Sequence, residues 1–236
     1  PTLDTGPMST PDTGPGRECV TAGAPLTRLN KWQYQRTLED LFPDTDLPEL
    51  AHPESPTDHG FDNYAADLQP TSQHIEAYLD NGRAIAERVL EKPDRVLPCR
   101  PDGSDYTACG RQFLKDFGTR VFRRPLTDEE VDYYDKYFAS PPDGATFVQA
   151  TELTLQLMLG SPEFIYRIEQ PAQELGPGEV GRVDAYSLAS RLSYFLGGSM
   201  PDDKLLQAAA DGELDTAAGV EAQVDRMVED PRALEA

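Results

Sequence analysis

The sequence predicts an all-α protein with irregular loops, and three observations carry that expectation. Apolar residues recur at spacings of three and four along most of the chain, strand-like alternation is sparse, and Ser, Thr or Asp precedes several apolar runs where a helix N-cap belongs. With 236 residues, 38% of them hydrophobic, the chain can bury one large core or two modest ones.

Residues 1–25 are dense in Pro, Gly, Thr and Asp, which predicts an exposed tether that does not order itself. Thr27 is a candidate N-cap for a first helix, in which Leu29, Trp32, Leu38, Leu41 and Phe42 fall largely on one face before Pro43. A proline-rich loop leads to Gly60-Phe-Asp-Asn63. After it, Ile75, Tyr78, Leu79, Gly82, Ile85, Ala86 and Val89 mark the cleanest amphipathic helix. A third helix spans roughly Tyr106 to Phe122, with Cys109, Phe113, Phe117 and Val121 inward, and stops at Arg123-Arg124-Pro125. Thr127 and Glu130 form a capping box, and Asp128, Glu129 and Glu130 suit the positive end of the fourth helix, to about Phe138. A fifth runs from about Thr146 to Leu159, with Phe147, Ala150, Leu153 and Leu157 on its face, and Ser161-Pro162 caps a short turn. The glycine-rich stretch 171–183 predicts a loop between two modules, at 26–170 and 182–236. Asp184 caps a helix through Leu196, Pro201 opens one to about Ala210, and Thr216 starts a last one through Val228.

Against 21 Lys and Arg stand 42 Asp and Glu, a net charge of −21 that disfavours phosphate backbones and anionic lipid as partners. No stretch has the roughly 18 apolar residues of a membrane span. Cys-x-x-Cys-His is absent, so these residues carry no covalent haem, and no Gly-x-Ser-x-Gly elbow, phosphate-binding glycine loop or dinucleotide fingerprint supports nucleophilic or nucleotide chemistry.

Weaker polar signals remain. His52, His59 and His74 are the only histidines; with Asp58 and Asp62 they supply residue types suited to metal or proton transfer, but ordinary exposed loop histidines are the default. Asp58, His59, Asp62 and Asn63 are the candidate catalytic set, although Asp62 and Asn63 serve equally well as turn formers with Phe61 as anchor. The pairs Asp44 with Asp46 and Asp102 with Asp105 suggest calcium but lack a full binding loop. Arg123, Arg124, Arg167 and Arg191 have two readings: bidentate locks onto acidic neighbours that fasten helix to helix, which is the default, or an anion-binding cluster. The aromatics at Tyr133, Tyr134, Tyr137, Phe138, Phe164, Tyr166, Tyr194 and Phe195 suit a core, a sugar groove or an electron route.

The phrases Arg123-Arg-Pro-Leu-Thr-Asp-Glu-Glu-Val131, Ser161-Pro-Glu-Phe-Ile-Tyr-Arg167, Ala189-Ser-Arg-Leu-Ser-Tyr-Phe195 and Pro201-Asp-Asp-Lys-Leu-Leu206 resemble the large secreted proteins of planctomycetes and myxobacteria built from serial domains of unknown function. Many of those carry or neighbour a c-type cytochrome domain. The resemblance covers roughly residues 26–236 and includes the Gly-Phe-Asp-Asn phrase. It implies an exported protein, periplasmic, outer-surface or extracellular, with a lipid anchor through a preceding N-terminus as one option. It further implies an interaction subunit of a cytochrome-associated redox system, with haem c on another portion or partner, and helices that continue beyond Ala236 or meet a second chain. An extracellular enzyme acting on a polymer such as polysaccharide is the alternative, and a subunit of an extracellular assembly is a third. Cys99 and Cys109 bracket a loop rich in turn formers, and the resembling proteins hold a paired cysteine here, which implies a Cys99–Cys109 bridge; the zinc alternative lacks a Cys or His cluster. Cys19 is then left for a partner elsewhere, or free.

Overall fold

The computed structural model describes residues 26–43, 45–54, 64–65, 67–101, 103, 105–176 and 179–234. It is mostly helical, as the apolar spacing predicts. The helices are α1 (Lys31–Leu41), α2 (Ser72–Leu90), α3 (Thr107–Phe122), α4 (Asp128–Ala139), α5 (Phe147–Leu159), α6 (Pro162–Ile165), α7 (Ala185–Leu196), α8 (Asp203–Ala210) and α9 (Ala217–Val228). Two short strands, β1 (Thr27–Arg28) and β2 (Tyr166–Arg167), pair antiparallel, with Thr27 opposite Arg167 and Arg28 opposite Tyr166.

The first helix starts later than Thr27 suggests. Asn30 is the N-cap: its side chain accepts from Gln33 N–H at 2.8 Å while Gln33 Oε1 accepts from the Asn30 N–H, a reciprocal cap that satisfies two otherwise orphaned donors. Thr27 is spent on the ribbon instead, and Leu29 N–H continues the tie by donating to Ile165 O at 2.9 Å. Two-residue strands are too short to show alternation, which is why the sequence hides them. Capping boxes at Thr71/His74, Thr127/Glu130 and Thr146/Gln149 open α2, α4 and α5. Likewise Asp184 and Thr216 cap α7 and α9, whereas at α8 the cap is Asp202 rather than the preceding Pro201.

Most of the predicted face of α2 is buried, but two of its apolar members are not. Ile75 and Leu79 are 55% and 52% exposed, while His74, Asn81 and Gly82 face inward with Tyr78, Ile85, Ala86 and Val89. Close approach to α5 explains Gly82, where an added Cβ would stand 3.3 Å from Gln156 O. Together α1 to α6 enclose a large core rich in rings, with Phe113 stacked on Phe117 at 5.4 Å and edge-on to Phe138. Cys99 and Cys109 are bridged, their Cα atoms 5.9 Å apart, which pins the segment before α3 to that helix.

A second cluster consists of Ala189, Leu205, Ala208, Ala209 and Leu214 and is covered in part by Leu188, Leu192, Val220 and Met227. α7 belongs to both clusters. Tyr194 and Met200 enter the first, Tyr194 Oη lies 2.9 Å from Thr37 Oγ1 on α1, and Gly198 stands against the Trp32 ring. Arg120 of α3 donates to Asp40 O at 2.9 Å and approaches Asp203 of α8 at 3.6 Å. Across the second cluster, Arg226 of α9 grips Asp202, whose carboxylate also caps α8. No helix among the described residues is long and apolar enough to cross a membrane.

Candidate functional site

Where β1, α1, α2 and the 45–54 segment meet, the chain buries a polar cluster that charge and motif patterns do not flag. Arg28 is fully buried; its Nε donates to Leu68 O at 2.9 Å and its Nη1 to Tyr78 Oη at 2.6 Å. Against that pair stand Tyr34 and His52. The Tyr34 ring centroid lies 5.1 Å from that of Tyr78 and 6.0 Å from that of His52, and His52 meets His74 at 6.2 Å. Asn81 clamps the segment to α2, donating to Ala51 O at 2.8 Å and accepting from Ala51 N–H at 2.9 Å.

His52 and His74 correct the expectation of exposed loop histidines. His74 is buried in the first turn of α2, its Nδ1 2.8 Å from Thr71 Oγ1, and His52 is half-buried. The Nδ1 of His52 lies 3.1 Å from Pro53 O, and a carbonyl only accepts, so Nδ1 carries the proton and Nε2 is a bare acceptor. Among the described residues that Nε2 is sealed from solvent without a hydrogen-bond partner, and Tyr34 Oη is sealed beside the Asn81 amide. Burial lowers the His52 pKa to about 4, with Arg28 adding to the fall, and lowers that of His74 in the same way. Tyr34 is raised by burial, with Asn81 opposing the rise. A ring that resists protonation to about pH 4 is a poor general base near neutrality and a good neutral hydrogen-bond acceptor.

Tyr34 and His52 line a groove of about 480 Å³ between α1 and residues 45–52, with Lys31, Gln35, Glu39, Asp46 and Glu49 around it. Gln35 Nε2 holds Glu39 at 2.9 Å. Tyr34 and His52 form its floor with their polar atoms turned away from solvent, so a hydroxyl-bearing ligand would meet the exposed Lys31, Gln35, Glu39, Asp46 and Glu49 at its rim.

The comparisons with known proteins divide the chain in order. PSD3, a protein of unknown function (DUF1587), matches residues 27–91; PSD5, a protein of unknown function (DUF1595), matches 109–169; PSD4, a protein of unknown function (DUF1592), matches 183–236. The chain carries three serial domains of unknown function. Nothing among curated proteins and nothing among solved structures matches it. The buried polar cluster and the groove lie in the PSD3 segment, whereas the four arginines lie in the PSD5 and PSD4 segments.

Those four arginines do three different things. Arg123, in a left-handed conformation at φ 60°, donates to the carbonyls of Phe164 (3.1 Å), Glu163 (2.7 Å) and Tyr166 (2.7 Å). Its partners are backbone and not the acidic side chains expected of a lock. α6 is one turn long, so beyond Pro162 O, which accepts from Tyr166 N–H, its carbonyls find no helical donors, and Arg123 supplies those of Glu163 and Phe164 at the cost of a strained backbone. Arg124 does make the bidentate lock, with both nitrogens on Glu130 at 2.8 and 2.7 Å, and Arg191 forks onto Glu169. Among the described residues the Arg167 side chain makes no hydrogen bond and no ion pair; its Nε is sealed from solvent and its Cζ lies 5.7 Å from the Tyr194 ring centroid.

The proposed catalytic set Asp58, His59, Asp62 and Asn63 lies outside the described residues, as do Asp44, Asp102 and Cys19. Among the described residues no group of three or more His, Cys, Asp or Glu is placed to hold a metal ion. Arg28 and Tyr34 were not legible as site residues, because nothing in the local pattern distinguishes a buried arginine from a surface one.

Proposed function

We propose that the chain is an interaction subunit of an exported, c-type-cytochrome-associated redox system, with the haem on a partner polypeptide. The observation that carries this is the unfinished packing of the α7–α9 layer. Its core is five small or aliphatic residues, α9 buries no side chain fully, and Phe195 and Val228 are 79% and 50% exposed. Apolar surface left wet forfeits about 25 cal/mol per Å², so such a layer is stabilised by covering it. Glu221 and Asp225 on α9 and Glu229 just after it are exposed, and the whole chain carries a charge of −21, which suits a partner with a basic docking face. The Cys99–Cys109 bridge supports an oxidising compartment outside the cytoplasm.

The test is isolation of the native complex under low salt, with a visible absorption spectrum of the fraction that contains this chain. A Soret band that co-elutes with the chain and separates from it at high salt supports the proposal. A chain that elutes alone at low salt overturns it, and a complex without a Soret band overturns the redox part while leaving the subunit role, including membership of a larger extracellular assembly.

A second reading has its own observation. The groove at Tyr34 and His52, lined by Glu39, Asp46 and Glu49, suits a polyhydroxylated ligand and therefore an extracellular protein acting on a polymer such as polysaccharide. Release of soluble sugar from a polysaccharide, lost in Glu39→Gln and Glu49→Gln variants, favours it over the first.

A further inference from the structure

We propose that Arg167 is the recognition point of a carboxylate-binding site on the surface where β2 meets α7. Four arginines converge on this part of the molecule and three are occupied. Arg124 is neutralised by Glu130, and Arg191 by Glu169, the carboxylate that would otherwise be available to Arg167. Arg123 is fully engaged, but with backbone carbonyls, which satisfy its donors and leave its charge in place.

Arg123 and Arg167 both lie over the ring of Tyr194, at 5.8 and 5.7 Å from its centroid, and the Tyr194 hydroxyl is committed to Thr37. Two guanidinium charges therefore share one aromatic ring with no carboxylate of their own. Burial weakens the hold of Arg167 on its proton and the Arg123 charge adds to that, against the pull of Tyr194 and of Glu169, whose two carboxylate oxygens are taken by Arg191. A half-buried, unneutralised guanidinium is costly in a folded protein, and in a chain of net charge −21 the absence of a partner is not for lack of acids. An external anion removes that cost.

The shape selects a carboxylate among anions. Cation–π contact holds the guanidinium by its face and Nε is sealed from solvent, so the Nη1/Nη2 edge is the binding surface, and a planar carboxylate matches that edge with two parallel hydrogen bonds. The carboxylate can come from a small free acid such as a uronic sugar or from a side chain or C-terminus of a partner polypeptide. The assignment of Arg167 is independent of the subunit role proposed above, because it requires only a ligand with this group.

The experiment is a titration of the intact chain with acetate at constant ionic strength, following the Arg167 Nε–Hε resonance by NMR, with chloride as the screening control. The expected result is a saturable shift with half-saturation on the order of 10 mM, absent with chloride. Arg167→Gln should weaken acetate binding by at least about tenfold, and Arg167→Lys should fall between, since lysine keeps the charge and loses the fork. Glucuronate and a short acidic peptide form the second arm: a preference for glucuronate assigns the site to a free sugar acid, and a preference for the peptide assigns it to a partner. A shift that chloride reproduces, or acetate binding that Arg167→Gln leaves unchanged, overturns the proposal. If Arg167→Gln fails to fold, the wild-type resonance and the lysine variant still decide the matter.

Discussion

The two halves of this molecule are built to different standards of packing. The α1–α6 region buries Phe113, Phe138 and Phe164 completely, stacks rings on rings, and is fastened by a disulfide, a backbone ribbon and a buried arginine. The α7–α9 region has caps as good, at Asp184, Asp202 and Thr216, but no aromatic ring in its buried cluster and three alanines among its five members. Local signals therefore specify helices equally in both regions, while the packing that holds them differs, because stabilisation scales with apolar area removed from water and not with helix content. A face that is helical but thinly covered is the part of a protein most able to accept another surface.

The largest expected effect separates the regions directly. Phe113→Ala opens a cavity beneath Phe117 and Phe138 and should cost about 3–5 kcal/mol, lowering the melting of the whole chain. Leu205→Ala, also fully buried, should cost about 2–3 kcal/mol and loosen α7–α9 while α1–α6 keeps its near-ultraviolet dichroism. Equal global losses from both would break the contrast.

Next is the disulfide. Replacing Cys99 and Cys109 by serine releases a short loop constraint and should cost about 2–3 kcal/mol in the α1–α6 region. Differential scanning calorimetry checks it: the global transition should fall, as for Phe113→Ala, while the local opening of α8 and α9 is unchanged.

Gly198 sharpens the comparison at the junction. It has φ +64°, and an added Cβ would stand 1.9 Å from the Trp32 ring. Gly198→Ala should therefore cost about 1–3 kcal/mol by overpacking and strain, and should show as faster proteolysis around α7 and not within α3 or α5.

The smallest effect is in pH. His52 titrates near 6.5 when unfolded and near 4 when folded, so between these values the unfolded chain binds more protons. Stability is complete above about pH 6.5 and declines as pH falls toward about 4, and His74 contributes with the same sign. His52→Gln should flatten part of that decline in melting temperature across the same window; an unchanged slope would show that His52 is not buried in solution.

Much of the fold was legible from residue pattern. Thr127 with Glu130 marked α4, Asp184 marked α7, and the apolar spacing from Phe113 to Val121 marked α3. What escaped had a physical reason in each case. The β1–β2 ribbon is a pairing between residues about 140 apart, which no local period reveals. α2 turned its Ile75 and Leu79 outward because Tyr78, His74 and Asn81 hold Arg28 and the 45–54 segment on the inner side, and a polar network of that kind overrides hydrophobic rank. The arginines were visible as a set but not as individuals: only the three-dimensional partners distinguish Arg123 on carbonyls, Arg124 and Arg191 on carboxylates, and Arg167 on a ring alone.

Native-state hydrogen exchange read by mass spectrometry tests the central claim most directly. The account predicts that amides of α2, α3 and α5 exchange only by global unfolding, that α8 and α9 exchange much faster through local opening, and that a bound partner slows α8 and α9 selectively. Uniform protection from α1 through α9 in the isolated chain would contradict it.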